Sequence, residues 1–210
     1  MSKKFLIVLL VAVLTASYAQ AQLTFGARAG LNLTNVYKNV DGEMKGLDWK
    51  PGFQIGVVAE YAILEDLFFQ PGILFSQQGF KSETSSGSAN VKVTCNLNYI
   101  QIPLNLQYRN ESGSLYLQAG PYFGYGIGGK MKMEASSGGT SLSLSEKIKF
   151  GNGDDADFKA LDFGLGVGAG LQLGNLQAGL GLNYGLANLG TDVKVKNLGL
   201  ALTATYMFGK

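Results

Sequence analysis

The chain has 210 residues, of which 46% are hydrophobic, only 15% charged and 30 are glycine. That balance is too apolar for a disordered chain and unusually rich in glycine for a soluble enzyme. The absence of histidine and the single cysteine, Cys95, exclude Ser-His catalysis, a His-liganded zinc site and an internal disulfide framework, and a formal charge of +2 offers no footprint for nucleic acid.

Residues 1–21 carry the pattern of a secretory signal peptide. Lys3 and Lys4 precede the apolar run 5–14, and a small-residue site, Ala19-Gln20-Ala21, follows. Cleavage before Gln22 removes two lysines and no acid, leaving a mature domain, 22–210, of zero net charge. Gln22 at that position, where a lipoprotein needs cysteine, argues against lipidation. Beyond it no stretch reaches the roughly 18 consecutive apolar residues of a membrane helix.

The period of the mature chain is two. Leu23, Phe25, Ala27, Ala29, Leu31 and Leu33 are apolar, while Thr24, Gly26, Arg28, Gly30 and Asn32 between them are small or polar. Such alternation marks a strand with two unlike faces. It recurs over 53–63, 69–75, 100–108, 115–127, 161–173, 176–186 and 198–208, which predicts eight strands. The apolar faces carry neither charge nor amide. A charge facing lipid at the midplane costs about 2–4 kcal/mol, so hydrocarbon explains that purity better than a shared core. The opposite faces carry Arg28, Gln54, Glu60, Gln70, Gln101, Asn105, Gln107, Gln118, Asp162, Gln172, Gln177 and Asn183 among glycines, which suits a polar lumen.

Connection lengths point the same way. Gaps at 35–50, 79–95, 128–160 and 187–197 are long, and those at 64–66, 109–114 and 174–175 are short, in strict alternation. Outer-membrane barrels place short turns in the periplasm and long loops outside. With a periplasmic N-terminus, Phe25, Tyr61, Phe69, Tyr108, Tyr206 and Phe208 form one aromatic ring, and Phe53, Phe75, Phe123, Tyr125, Phe163 and Tyr184 form another. Aromatic girdles at both interfaces are what a bilayer favours. The expected fold class is therefore all-β, a transmembrane up-and-down antiparallel barrel of eight strands. The segment 130–150, "KMKMEASSGGTSLSLSEKIKF", alternates on both sides of Gly138-Gly139 and reads as a hairpin rising above the membrane, whose exposed edges are a hint of a protein-binding surface; should it enter the wall instead, the barrel has ten strands.

The glycine-rich runs need a separate reading. Gly124-Tyr125-Gly126-Ile127-Gly128-Gly129 satisfies G-x-G-x-x-G, as Gly164 to Ala169 satisfies its variant, but a dinucleotide fingerprint must open a helix. Here the glycines continue at period two inside strands. They are expected to make room in a narrow lumen for Tyr99, Tyr116 and Tyr122. No cofactor, metal or catalytic residue is assigned. Arg28 and Glu60, on adjacent strands, are expected to brace the lumen as a buried ion pair, within a polar network that includes Gln70, Gln101, Gln118 and Asp162. A carboxylate-only chemistry remains open. So does calcium at Asn152, Asp154, Asp155 and Asp157, which otherwise form a solvated acidic loop. Pro71, Pro103 and Pro121 remove ladder donors, so bulges or breaks are expected there.

The runs "FFQPGILFSQQGF", "NLNYIQIPLNLQY" and "GPYFGYGIGGK", with the later "DFGLGVGAGLQL" and "NYGLANLG", resemble the PorT-like outer-membrane β-barrel proteins of Bacteroidetes-type bacteria over essentially the whole mature chain. The resemblance implies fold and location. Its founding member is associated with protein secretion across the outer membrane, while most members have no assigned role. The chain is thus expected in the outer membrane of a Gram-negative bacterium, with membrane lipid as one partner and a surface or secretion protein, met through the long loops, as another. The competing reading is a conductive, porin-like barrel.

Overall fold

A computed structural model describes residues 23–40, 43–86, 89–138, 140–151, 156–190 and 195–208. The proposed signal peptide, 1–21, lies outside them. The strands are β1 (Leu23–Val40), β2 (Glu43–Gly46), β3 (Lys50–Ala62), β4 (Leu67–Ser86), β5 (Ala89–Arg109), β6 (Leu115–Ser137), β7 (Thr140–Ile148), β8 (Leu161–Leu173), β9 (Leu176–Gly185) and β10 (Val195–Phe208). Eight of them close into a ring in the order β1-β3-β4-β5-β6-β8-β9-β10, and β10 returns to β1 along the register Phe25 to Phe208 through Lys38 to Val195. Every pairing in the ring is antiparallel.

The wall therefore has eight strands, and the ten-strand alternative is overturned. The lower part of β6 is flanked by β5 and, from Leu115 to Tyr125, by β8, so only its upper part is free to pair with β7. That 11-residue ladder with β8 matches the 9–11 residues a tilted strand needs to cross a bilayer. The short β2 pairs with the upper end of β1.

One of the expected long loops is corrected, and the hairpin expected within another is present. Residues 79–95 are mostly ladder, since β4 and β5 stay paired up to Ser86 and Ala89. Most of 128–150 is the β6-β7 hairpin, standing above the wall as the alternation about Gly138-Gly139 leads one to expect. The β4-β5 extension alternates too, but with its apolar side reversed, so it does not continue the lipid-facing pattern of the wall. Below, the turns are tight, and Gly174 at φ 59° and Gly113 at φ 67° supply backbone conformations that other residues rarely adopt.

Burial is inverted relative to a soluble protein. Leu31 and Leu180 are each 65% exposed, while Glu60 and Gln107 inside are 2% and 0% exposed. The interior is narrow enough that Tyr122 lies against Gly164, where an added Cβ would come within 2.7 Å of its Cε1. Pairing is interrupted beside Pro71, Pro103 and Pro121. The ladder passes from Val58–Gly72 to Tyr61–Phe69, from Pro71–Leu104 to Leu74–Gln101, and from Pro103–Tyr122 to Leu106–Ala119. A missing N–H removes one ladder bond and loosens its neighbours.

Candidate functional site

Three layers fill the barrel from the periplasmic end upward. In the lowest, Arg109 at the end of β5 forms an ion pair with Glu60 of β3. The same Glu60 oxygen accepts hydrogen bonds from Gln177 Nε2 at 3.0 Å and Gln70 Nε2 at 3.2 Å. Arg28 donates to Gln70 Oε1 at 2.5 Å and to Thr205 Oγ1 at 2.8 Å. Gln70 thus links Arg28 to Glu60, and the two arginines share one carboxylate layer. Burial of an ion is tolerable because each charged group meets a partner. Arg109 is not among the lumen residues that strand alternation over 100–108 singles out. Its signal was parity, since it follows Gln101, Asn105 and Gln107 on the inward face of β5.

The second layer lies higher. Asp162 Oδ2 accepts from Asn197 Nδ2 at 2.9 Å and from the Tyr122 hydroxyl at 3.3 Å. Asn197 also donates to Gln78 Oε1 at 3.1 Å, and Gln78 donates to Gln101 Oε1 at 3.2 Å. Asp162 and Gln101 therefore sit in a network separate from that of Arg28, Glu60 and Gln70. Gln118 lines a cavity of about 40 Å³ together with Arg28, Gln101 and Tyr122. Its Oε1 finds no hydrogen-bond partner among the described residues.

The third layer is apolar. Cys95, Leu97 and Tyr99 of β5 pack with Ile148, Phe158, Ala187 and Leu189, and with Phe80, Met131 and Phe150. The Tyr99 and Phe150 rings meet edge to face at 5.5 Å, a favoured aromatic geometry. This cluster stands across the extracellular mouth. Of the acidic loop, Asn152, Asp154 and Asp155 lie outside the described residues. Asp157 Oδ2 accepts the Lys149 backbone N–H at 2.8 Å.

The chemistry of the strand faces reverses near Tyr99. Along β5, outward Ile100, Ile102, Leu104, Leu106 and Tyr108 are apolar, and the inward residues from Gln101 to Arg109 are mainly polar. Above Tyr99 the outward residues are Asn98, Asn96, Thr94, Lys92 and Asn90, and the inward ones are Leu97, Cys95, Val93 and Val91. On β6 the crossover is made by a bulge. Tyr99 pairs with Gly126 and Asn98 with Gly128, so Ile127 is extra, and Gly129, Met131, Met133 and Ala135 then share the inward side with Leu97, Cys95, Val93 and Val91. A bulge re-aims side chains in this way. Hydrocarbon ends at this level, where an outward apolar residue loses its solvent.

Above that level β4, β5, β6 and β7 form an amphipathic sheet standing on one side of the mouth. Its outer face is polar, with Lys132 donating to Glu134 Oε1 at 2.6 Å, a bond that holds this carboxyl below its ordinary range. Leu142 and Leu144 of β7 pair with Ala135 and Met133 on the inner face.

The chain matches a family model described as outer membrane protein beta-barrel domain over residues 18–190. Among solved structures it is similar to Ail, the attachment invasion locus protein of Yersinia pestis, at 19% identity with a TM-score of 0.46, covering 89% of this chain and 99% of that one. It is similar to neisserial surface protein A at 18% identity and a TM-score of 0.40, covering 88% and 97%. No curated protein sequence matches it. A family match over most of the length, on a barrel turned greasy side out, leaves one reading: the chain belongs to the outer membrane protein β-barrel domain family.

Proposed function

We propose that this outer-membrane barrel is non-enzymatic, that its lumen is a filled structural core, and that it acts on a protein partner through its extracellular sheet and loops. The single observation that carries the reading is the stacking of two hydrogen-bonded layers beneath an apolar one. The Arg109–Glu60 pair with Arg28, Gln70 and Gln177 crosses the lower lumen. Between it and the upper layer a cavity measures about 40 Å³, and one beside Gln78, Gln101 and Asn197 of the upper layer about 10 Å³, room for a few waters rather than a conducting path. Eight strands leave an interior just wide enough for side chains. A chain without histidine has no imidazole for acid–base work.

Export in this reading follows cleavage after Ala21, and residues 22–210 form the mature domain. The resemblance to PorT-like proteins favours a place beside a secretion apparatus, where a filled barrel would anchor or dock other components.

The test is release of a small anionic dye from lipid vesicles carrying the refolded mature chain. Release no faster than from empty vesicles supports a filled lumen. Steady release proportional to the amount of protein would establish a conductive barrel instead.

A further inference from the structure

Two unsatisfied features of the extracellular sheet meet at β7. The first is its edge. Among the described residues β7 is paired with β6 alone, and every β7 residue except Ile148 is exposed. A one-sided strand presents a row of unpaired N–H and C=O groups, which proteins ordinarily blunt with charge, proline or a bulge. The upper two-thirds of the strand, Thr140-Ser141-Leu142-Ser143-Leu144-Ser145, has no charge and no proline; its two charges, Glu146 on the inner side and Lys147 on the outer, lie at its lower end. The second feature is the inner face. Its base is sealed by the Cys95–Leu97–Phe150 cluster, but higher up Leu142 is 62% exposed, Leu144 56%, Met133 43% and Val91 40%. These residues stand above the level where the outward face turns polar, on the side facing away from lipid.

One occupant answers both. We propose that β7 takes up an extended segment of another cell-surface polypeptide as an added strand, its apolar side chains continuing the inner face over Leu142 and Leu144. Backbone groups would supply affinity and the alternate side chains selectivity, as in other strand additions. The outer face specifies the remaining chemistry. Lys130 lies directly opposite Lys147, a like-charge pair that costs stability, and Lys132 follows on the same face, while the acid Glu134 is taken up by Lys132 and faces Lys92 across the ladder. An acidic residue on the outer side of the added strand, beside Lys147, relieves that repulsion. The segment therefore alternates apolar residues with polar or acidic ones.

A second copy in the same membrane cannot pair with the edge in the antiparallel sense. Antiparallel self-pairing of β7 needs a two-fold axis perpendicular to the sheet. The sheet continues the barrel wall upward, so that axis lies along the membrane plane and would invert one barrel.

The inference rests on the reading of the chain as an inserted barrel, and the experiment separates the two. The mature chain is placed in nanodiscs and titrated against a fluorescein-labelled nonapeptide alternating valine with glutamate or threonine. A peptide of the same residues in blocked order is the control, and binding is followed by anisotropy. The alternating peptide is expected to bind saturably and at least tenfold more tightly than the blocked one. Leu142→Asp with Leu144→Asp weakens it at least tenfold, and Lys147→Glu weakens it several-fold. Equal binding of both peptides, or unchanged binding by the double variant, overturns the proposal. Disulfide-linked dimers of Ser143→Cys in intact cells, in a Cys95→Ser background, would give the edge to a second copy and also overturn it. Heat-modifiable gel migration reports insertion independently: its loss sinks the barrel reading, while its retention without peptide binding sinks only the added strand.

Discussion

Arginine placed along the outward face of β5 should trace the membrane. From Tyr108 in the lower girdle to Ile100, beside Phe75 and Tyr125 of the upper one, the strand takes eight steps. At about 3.4 Å per step and a tilt of roughly 40°, that is about 21 Å of depth, close to the ~25 Å apolar band of such barrels. Leu106 and Ile102 flank the midpoint of this span and are 48% and 40% exposed to what surrounds the barrel. Leu106→Arg and Ile102→Arg should each cost about 2–4 kcal/mol, a fall of about 30- to 700-fold in the folded-to-unfolded ratio. Asn98→Arg, just past the crossover, should cost about 0–1 kcal/mol, and Asn96→Arg should fall within the ~0.5 kcal/mol typical of surface changes. The assay is reversible urea unfolding from lipid vesicles, read by tryptophan fluorescence and by gel migration. A flat profile, or a cost at Asn96 equal to that at Ile102, would refute the placement of hydrocarbon below Tyr99.

Other expectations follow from the interior. Glu60→Gln leaves the Arg109 and Arg28 charges without their carboxylate and should cost about 3–5 kcal/mol in the same titration; the Glu60→Gln, Arg109→Gln double variant should cost clearly less than the two single changes added together. An additive double variant would deny the coupling. Gly164→Val pushes a side chain against the Tyr184 backbone carbonyl and into the Tyr122 ring and should cost about 1–3 kcal/mol or more, measured by the shift in urea midpoint. Cys95 is 0% exposed within the apolar cap, so maleimide should label it only after unfolding; rapid labelling of the inserted protein would show that the cap is open.

Much of this molecule is written in its alternation. Period two with a charge-free side, as in Leu23 to Leu33 or Leu161 to Leu173, is a local property, and a bilayer gives that side one meaning from strand to strand. The same regularity places Glu60, Gln70, Gln101 and Asp162 inside and the aromatic residues in two rings. The glycines that resemble a nucleotide fingerprint are explained by the same parity, because a narrow lumen leaves room for Tyr122 only where Gly164 faces it. Other features depend on which strands become neighbours. Arg109 meets Glu60 only because β3, β4 and β5 close at a particular register, 49 residues apart in the chain. The division of the interior into two polar layers also depends on ring closure, which brings Asn197 of β10 across to Asp162 of β8 and Gln78 of β4. The extracellular sheet shows the limit most plainly. Val91, Val93, Cys95 and Leu97 alternate as regularly as Ile100 to Tyr108, but on the opposite parity. A sequence records which side is apolar; only the closed barrel, with its bulge at Ile127 and its height above the lipid, decides whether that side meets acyl chains, a packed cap or an approaching strand.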